Sequence, residues 1–146
     1  MGKVGASLQL PHPPETVFRV ATRIEDLPRW LPEVVDAQLL DPTLAVGSRV
    51  RLRMGAAAGN VDVTGTVKQL RPPTITAIGG SAGPLSIDVR TRLEGGPAGG
   101  TRVTLEIEVG SPPLLGFIAR EAERRINAEL PAALERFKAL VEAEPA

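Results

Sequence analysis

Histidine, cysteine and tyrosine, three residue types that often transfer protons or bind metals, are scarce or absent in this chain. His12 is the only histidine, and cysteine and tyrosine are absent. Any histidine-centred triad would have to use His12, which lies between prolines in "QLPHPPET", where a solvated or capping role is expected. The absence of cysteine excludes a thiol nucleophile and a thiolate metal site, and a single histidine excludes a multi-histidine metal site. We therefore predict no catalytic residue, no metal and no cofactor.

Other polar patterns have structural explanations. The carboxylates of Glu106 and Glu108 alternate on the outward face of a predicted strand. Those of Glu121 and Glu123 stand two apart on a predicted helix and point in different directions, so neither pair converges on one substrate atom. The segments "GGSAGP" and "GGPAGGT" lack the lysine and hydroxyl of a phosphate-binding loop. They predict hairpin turns.

The composition limits the class of protein. The chain has 146 residues, of which 42 % are hydrophobic, and this predicts a single domain over residues 1–146. The charges of seventeen basic and seventeen acidic residues cancel. The sequence therefore lacks the excess of positive charge that is typical of nucleic-acid binding. No apolar run approaches the length of an integral membrane segment, and "MGKVGASLQL" lacks the apolar core of a signal peptide. A cytoplasmic protein is expected.

Alternation of apolar and polar residues predicts most of the strands. A first strand carries Val4, Ala6, Leu8 and Leu10 on one side and ends at Pro11, and "VVDAQLLD" is a later strand. Five further runs are separated by Gly and Pro clusters and predict an antiparallel meander, at 48–54, 60–70, 74–80, 85–94 and 101–109. Pairing of the last two would bring Arg90 and Arg92 near Glu106 and Glu108.

Two kinds of helix are predicted. "PPETVFRVATRI" has prolines at its start and an apolar stripe, and "IEDLPRWLPEV" forms a short helical turn between Pro28 and Pro32. The last segment predicts an amphipathic helix of about 29 residues, long enough to cross the sheet. Glu121 is placed to pair with Arg125 on its polar flank. Pro131 predicts a kink or a break.

The order of elements, with several local patterns, resembles the START/polyketide-cyclase (SRPBCC) superfamily. In "PHPPETVFRVATRIEDLPRWLPEVVDAQLL", Pro14, Glu15, Val17 and Phe18 match the family's first turn and helix, and Trp30 followed by Pro32 matches its second. "GTVKQLRPPTITAIGG" and "GGTRVTLEIEV" are similar to its later strands. The resemblance implies an α+β helix-grip fold, in which a curved antiparallel sheet of six or seven strands wraps around the C-terminal helix, with two short helices after the first strand.

The resemblance also implies an apolar cavity between sheet and helix. The resemblance implies that Trp30 lies at the mouth of this cavity. Strand parity and the C-terminal helix predict the other ligand-binding residues, which are Leu52, Met54, Val63, Ile87, Val89, Thr91, Ile107, Phe117, Ala122 and Ile126. Thr91 is the one inward hydroxyl among them, and a threonine is a poor acid or base. For Trp30 the alternative is a filler of the core. The same residues could also fill the whole interior.

Three functions remain open. The first is binding of a small hydrophobic molecule (a lipid, quinone or aromatic polyketide) in the cavity. The second is a polyketide cyclase or dehydratase, which would need an inward-facing arginine or glutamate. The third is an assembly factor with a protein partner, since "GNVDVTGTV" through "GGPAGGTRVTLEIEV" is similar to a small subunit family of carbon monoxide dehydrogenase. We expect a binding protein rather than an enzyme; the sequence does not specify its oligomeric state.

Overall fold

The computed structural model describes residues 2–55 and 59–145, and its strands form one curled antiparallel sheet. The seven strands stand in the order β1-β7-β6-β5-β4-β3-β2. Their bounds are β1 Gly2–Leu10, β2 Val34–Leu39, β3 Arg49–Met54, β4 Val61–Arg71, β5 Ile75–Ala82, β6 Leu85–Gly95 and β7 Thr101–Gly110. The predicted meander is confirmed, because each strand from β2 to β6 pairs with the next, and β1 closes the order beside β7.

The helices follow the predicted order. Helix α1 spans Pro14–Ala21, a 3-10 helix spans Ile24–Arg29, and helix α2 spans Gly116–Glu142. Two single 3-10 turns, Pro97–Gly99 and Pro113–Leu115, precede β7 and α2. The curled sheet with a long C-terminal helix is the helix-grip architecture that the sequence predicts.

Strand parity places the core on one face of the sheet. Along β3, Val50, Leu52 and Met54 are buried while the intervening arginines are exposed. The outer face carries cross-strand ion pairs, including Arg92 with Glu106 at 2.8 Å, as expected for the last hairpin. These pairs are exposed, so they set register more than they stabilise the fold.

Helix α2 packs mainly on β1 and β7, which lie at one end of the strand order. Its C-terminal half buries Leu130, Leu134, Phe137 and Val141. Ile118, in its N-terminal half, is 39 % exposed. The helix continues across Pro131, so of the predicted kink or break the break is absent, and the proline is exposed. Because α2 leans toward β1 and β7, space remains between its first turns and the middle strands.

Candidate ligand-binding cavity

A cavity of about 430 Å³ lies between the N-terminal half of α2 and strands β3 to β7. This volume falls within the range of about 300–1,000 Å³ that is usual for small-molecule sites. Six of the eleven predicted residues line it: Met54, Val63, Ile87, Phe117, Ala122 and Ile126. Further apolar residues complete the wall: Val61, Ala82, Leu85, Val109 and Ile118. The wall is therefore mainly aliphatic.

The other five predicted residues do not line this cavity; four of them are buried in the core and Val89 is partly buried. Leu52 and Val89 border a separate void of about 10 Å³, which has room for about one water molecule and no organic ligand. Thr91 and Ile107 are buried and do not line the main cavity. The parity that turns these side chains inward is as predicted, but the interior around them is filled.

Trp30 also belongs to this filled part of the interior. Its side chain is fully buried, and its ring centroid lies 4.5 Å from that of Phe137 in α2. The guanidinium of Arg136 donates to the Trp30 carbonyl oxygen over 3.1 Å. Trp30 thus joins the segment after the 3-10 helix to the C-terminal half of α2, and it does not line the cavity. The structure favours the core interpretation of this residue.

Residue Glu33 brings a carboxyl group to the wall of the cavity. It lies between Pro32 and the start of β2, and its φ of 63° is in the left-handed region. Gly55 donates its backbone N–H to the Glu33 carbonyl oxygen over 2.7 Å, which fixes this turn against the end of β3. Sequence reasoning missed Glu33, because a left-handed residue outside the strands has no parity from which a direction could be inferred.

Arg125 brings a guanidinium to the same wall. Its Nη2 lies 2.6 Å from Oε1 of Glu33. The expected pair between Glu121 and Arg125 is wrong. Glu121 instead binds Arg124, whose Nη2 lies 2.7 Å from Oε1 and 2.6 Å from Oε2. One residue of helical rotation separates the two arginines, so Arg124 stays in solvent while Arg125 turns toward the cavity.

The Glu33 carboxyl holds its proton unusually well. Its hydrogen bond with the carboxyl of Glu129 is the largest cause, and burial and repulsion by Glu129 act in the same direction. Together they raise the pKa of Glu33 to about 7, although Arg125 opposes the shift. Because this value is close to neutrality, Glu33 could give or take a proton under ordinary conditions.

The described residues contain neither a cluster of metal-binding side chains nor a helix that could span a membrane. Within residues 2–55 and 59–145, no group of three His, Cys, Asp or Glu side chains is placed to hold a metal ion. None of the helices in those ranges is both long enough and apolar enough to cross a bilayer. Ser86 adds one hydroxyl to the lining.

Comparison with solved structures supports the fold. TTHA0849 from Thermus thermophilus superposes with a TM-score of 0.78 at 20 % identity, covering 99 % of this chain and 100 % of that chain. The Zhui aromatase/cyclase from Streptomyces sp. R1128 gives a TM-score of 0.75 at 17 % identity, covering 97 % and 93 %. The di-domain ARO/CYC BexL from the BE-7585A biosynthetic pathway gives 0.72 at 17 % identity, covering 97 % of this chain and 47 % of that chain. At these identities the likeness establishes the fold.

Comparison of the sequence itself identifies the family. No curated protein matches the chain. The family model described as "Polyketide cyclase / dehydrase and lipid transport" matches residues 1–142, which is nearly the whole chain. The chain therefore belongs to the polyketide cyclase/dehydrase and lipid transport family.

Proposed function

We propose that this protein binds a small, mainly hydrophobic molecule in the cavity between α2 and the sheet. The observation that carries the proposal is an unfilled space of about 430 Å³ with a predominantly aliphatic wall. Empty apolar space lowers stability, because side chains that could pack there lose their contacts. A ligand of matching polarity restores those contacts and buries its own apolar surface. Family membership supports the same class of ligand.

The experiment is native mass spectrometry of the purified protein, followed by solvent extraction of any bound molecule. Ala122→Trp places an indole in the cavity wall, and Ala128→Trp, on an exposed part of the same helix, is the matched control. We expect a reproducible small apolar mass in the wild type and in Ala128→Trp, and its loss in Ala122→Trp. A protein that is empty, and whose melting temperature no lipid, quinone or aromatic polyketide raises, would contradict the proposal.

A second candidate is an enzyme of the cyclase or dehydratase type. The observation that favours it is the pairing of Glu33 with Arg125 at the cavity wall, since an inward carboxyl and an inward guanidinium are the groups that such chemistry needs. Ionised Glu33 could remove a proton from a carbon next to a carbonyl, and Arg125 could stabilise the negative charge that forms on the enolate oxygen. The proton would return from Glu33 in a later step.

Hydrogen–deuterium exchange tests the enzyme directly. A simple cyclic ketone in deuterated buffer is followed by NMR with wild type, Glu33→Gln and Arg120→Gln, the last an exposed arginine of α2 outside the cavity lining. An enzyme should accelerate exchange at the carbon next to the carbonyl, lose the acceleration in Glu33→Gln, and keep it in Arg120→Gln. Equal exchange with and without the wild-type protein would leave binding as the better interpretation.

A further inference from the structure

The polar groups at the cavity wall differ in how many further hydrogen bonds they can make. Arg125 is the one basic side chain among the described residues that line the cavity. Its contact with Glu33 is an ion pair, and in the described residues no N–H of this guanidinium makes a well-directed hydrogen bond. A guanidinium carries five N–H donors in a planar fork that suits a carboxylate. Arg125 therefore retains donor capacity that faces an apolar space.

The two carboxyl groups of the lining are occupied to different degrees. Both oxygens of Glu121 accept hydrogen bonds from Arg124. Glu33 contacts Arg125 through Oε1 and is also hydrogen-bonded to the carboxyl of Glu129, one helical turn beyond Arg125. While it is ionised, Glu33 thus neutralises the charge of Arg125 and repels a second carboxylate that reaches the remaining donors through the cavity.

We propose that Arg125 anchors the carboxylate of an amphipathic monocarboxylic acid whose apolar chain fills the cavity, and that Glu33 competes for Arg125 and releases it on protonation. The proposal rests on the proposed binding function and adds to it the chemistry of the ligand head and its control. An amine head would fit less well, because Glu121 and Glu33 are already engaged by Arg124, Arg125 and Glu129. A wholly apolar ligand would leave the donors of Arg125 unused.

The direction of the pH dependence follows from the groups around Glu33. Helix α2 presents Arg125 and Glu129 to it, and Glu121 lies in the same cavity wall. The end of β3 contributes the N–H of Gly55, which meets the backbone of Glu33 and not its carboxyl. Two carboxylates around one guanidinium favour uptake of a proton, in agreement with a pKa raised to about 7. Below this pH Arg125 is free, while an ordinary carboxylic acid with a pKa near about 4–5 stays ionised.

The test is isothermal titration of decanoate and of decanol at about pH 6 and about pH 8. For the wild type we expect decanoate to bind about tenfold more tightly at the lower pH, because the competent fraction rises by that factor across a pKa near 7. Decanol should bind equally at both. Arg125→Met should lose at least about tenfold for decanoate at the lower pH and keep its affinity for decanol, which also shows that it is folded. Glu33→Gln should bind decanoate tightly at both pH values.

The control is Arg120→Gln, which removes an exposed arginine of the same helix and should behave as wild type. Unchanged decanoate binding in Arg125→Met would overturn the anchor. A pH dependence that persists in Glu33→Gln would overturn the competition. If decanol binds and decanoate does not, the acid-headed ligand is wrong while the hydrophobic site stands. If neither binds the wild type, the proposed function fails and the anchor fails with it.

Discussion

Glu33 combines a backbone and a side-chain environment that both cost free energy. A left-handed φ of 63° in a residue other than glycine costs on the order of 1 kcal/mol. Its carboxyl is also held near Glu129, with which it shares a hydrogen bond. Glycine or asparagine would relieve the backbone and lose the contact with Arg125. The strained backbone at this position thus places a carboxyl group at the cavity wall.

This environment predicts a specific dependence of stability on pH. The pKa of Glu33 is raised from 4.5 to about 7, so the folded state holds a proton that the unfolded state releases. The resulting stabilisation is complete below about pH 4.5 and is lost as the pH rises through 7. Between about pH 5 and pH 8, the wild type should lose stability relative to Glu33→Gln, by up to on the order of 3 kcal/mol.

Urea unfolding of both proteins across this range measures the difference. Glu15→Gln, which changes an exposed glutamate of α1, controls for the removal of one negative charge. Parallel stability profiles for wild type and Glu33→Gln would show that the carboxyl of Glu33 titrates as it does in the unfolded chain. The competition with a ligand carboxylate would then lose its basis.

The two polar residues of the cavity wall, Arg125 and Glu33, were missed from the sequence for different reasons. Arg125 follows Ala122 by three positions and Ile118 by seven, so it lies on the apolar face of α2 at helical spacing. A charged residue on that face was interpreted as part of a solvated flank, although the same spacing also fits a group turned into a cavity. Glu33 had no such signal, because its direction depends on a left-handed turn. The sequence prediction therefore missed the polar residues Glu33 and Arg125 and included six of the apolar residues that line the cavity.

At the scale of elements, three glycines allow β4 and β5 to approach closely. A methyl group on Gly65 would overlap the carbonyl oxygen of Gly79 and lie 2.9 Å from the Cα of Gly80. Because the obstructing atoms are backbone, a side chain cannot move away to make room. The glycines keep the two strands paired where the sheet curls, as the registers Gly65 with Gly80 and Thr66 with Gly79 show.

Gly65→Ala should therefore be severely destabilising, by on the order of 3 kcal/mol or more. The matched control is Gly95→Ala at the end of β6, where a methyl group meets nothing within 4 Å. This control should lie within about 0.5 kcal/mol of the wild type. Guanidinium unfolding of the two variants and the wild type measures both changes in the free energy of unfolding. A small effect at Gly65 would mean that β4 and β5 can separate without cost.

Helix α2 contains a proline, Pro131, in its interior. A proline inside a helix removes one backbone hydrogen bond and crowds the carbonyl four residues earlier. Pro131 is exposed, so its ring makes little contribution to the core. Pro131→Ala should raise the free energy of unfolding by about 1–3 kcal/mol. Pro42→Ala, in an exposed turn, should not raise it.

Urea unfolding of the two proline variants gives the comparison. A loss of stability in Pro131→Ala would show that α2 needs the proline to follow the curvature of the sheet.

The elements themselves were predicted well, because alternation fixes which side of a strand is buried whatever the tertiary contacts. The helix was predicted at about 29 residues and has 27. Its lean toward β1 and β7 was not predictable, because it depends on which side chains fill the rest of the interior.

At the scale of the molecule, the filled and the empty parts of the interior are separate. Trp30 and Phe137 occupy the filled part, and the cavity lies at the other end of α2. Replacing Trp30 by alanine would remove a fully buried indole, at a cost of about 3–5 kcal/mol. The single tryptophan of the chain is thus a reporter of the packed core and not of the binding site.

This separation predicts how the intrinsic fluorescence responds to ligand. Emission of Trp30 should be that of a buried indole, should keep its maximum when decanol fills the cavity, and should shift only on global unfolding. Decanol at about a hundredfold excess over its Kd should stabilise the fold by about 2.7 kcal/mol, which for a chain of this size raises the melting temperature by about 5–10 °C. Far-ultraviolet circular dichroism should give the same midpoint as fluorescence, since helix and sheet share one core. An emission shift on binding would place the ligand beside Trp30 instead of in the cavity at the far end of the helix. An unchanged midpoint would mean that decanol does not bind the folded protein.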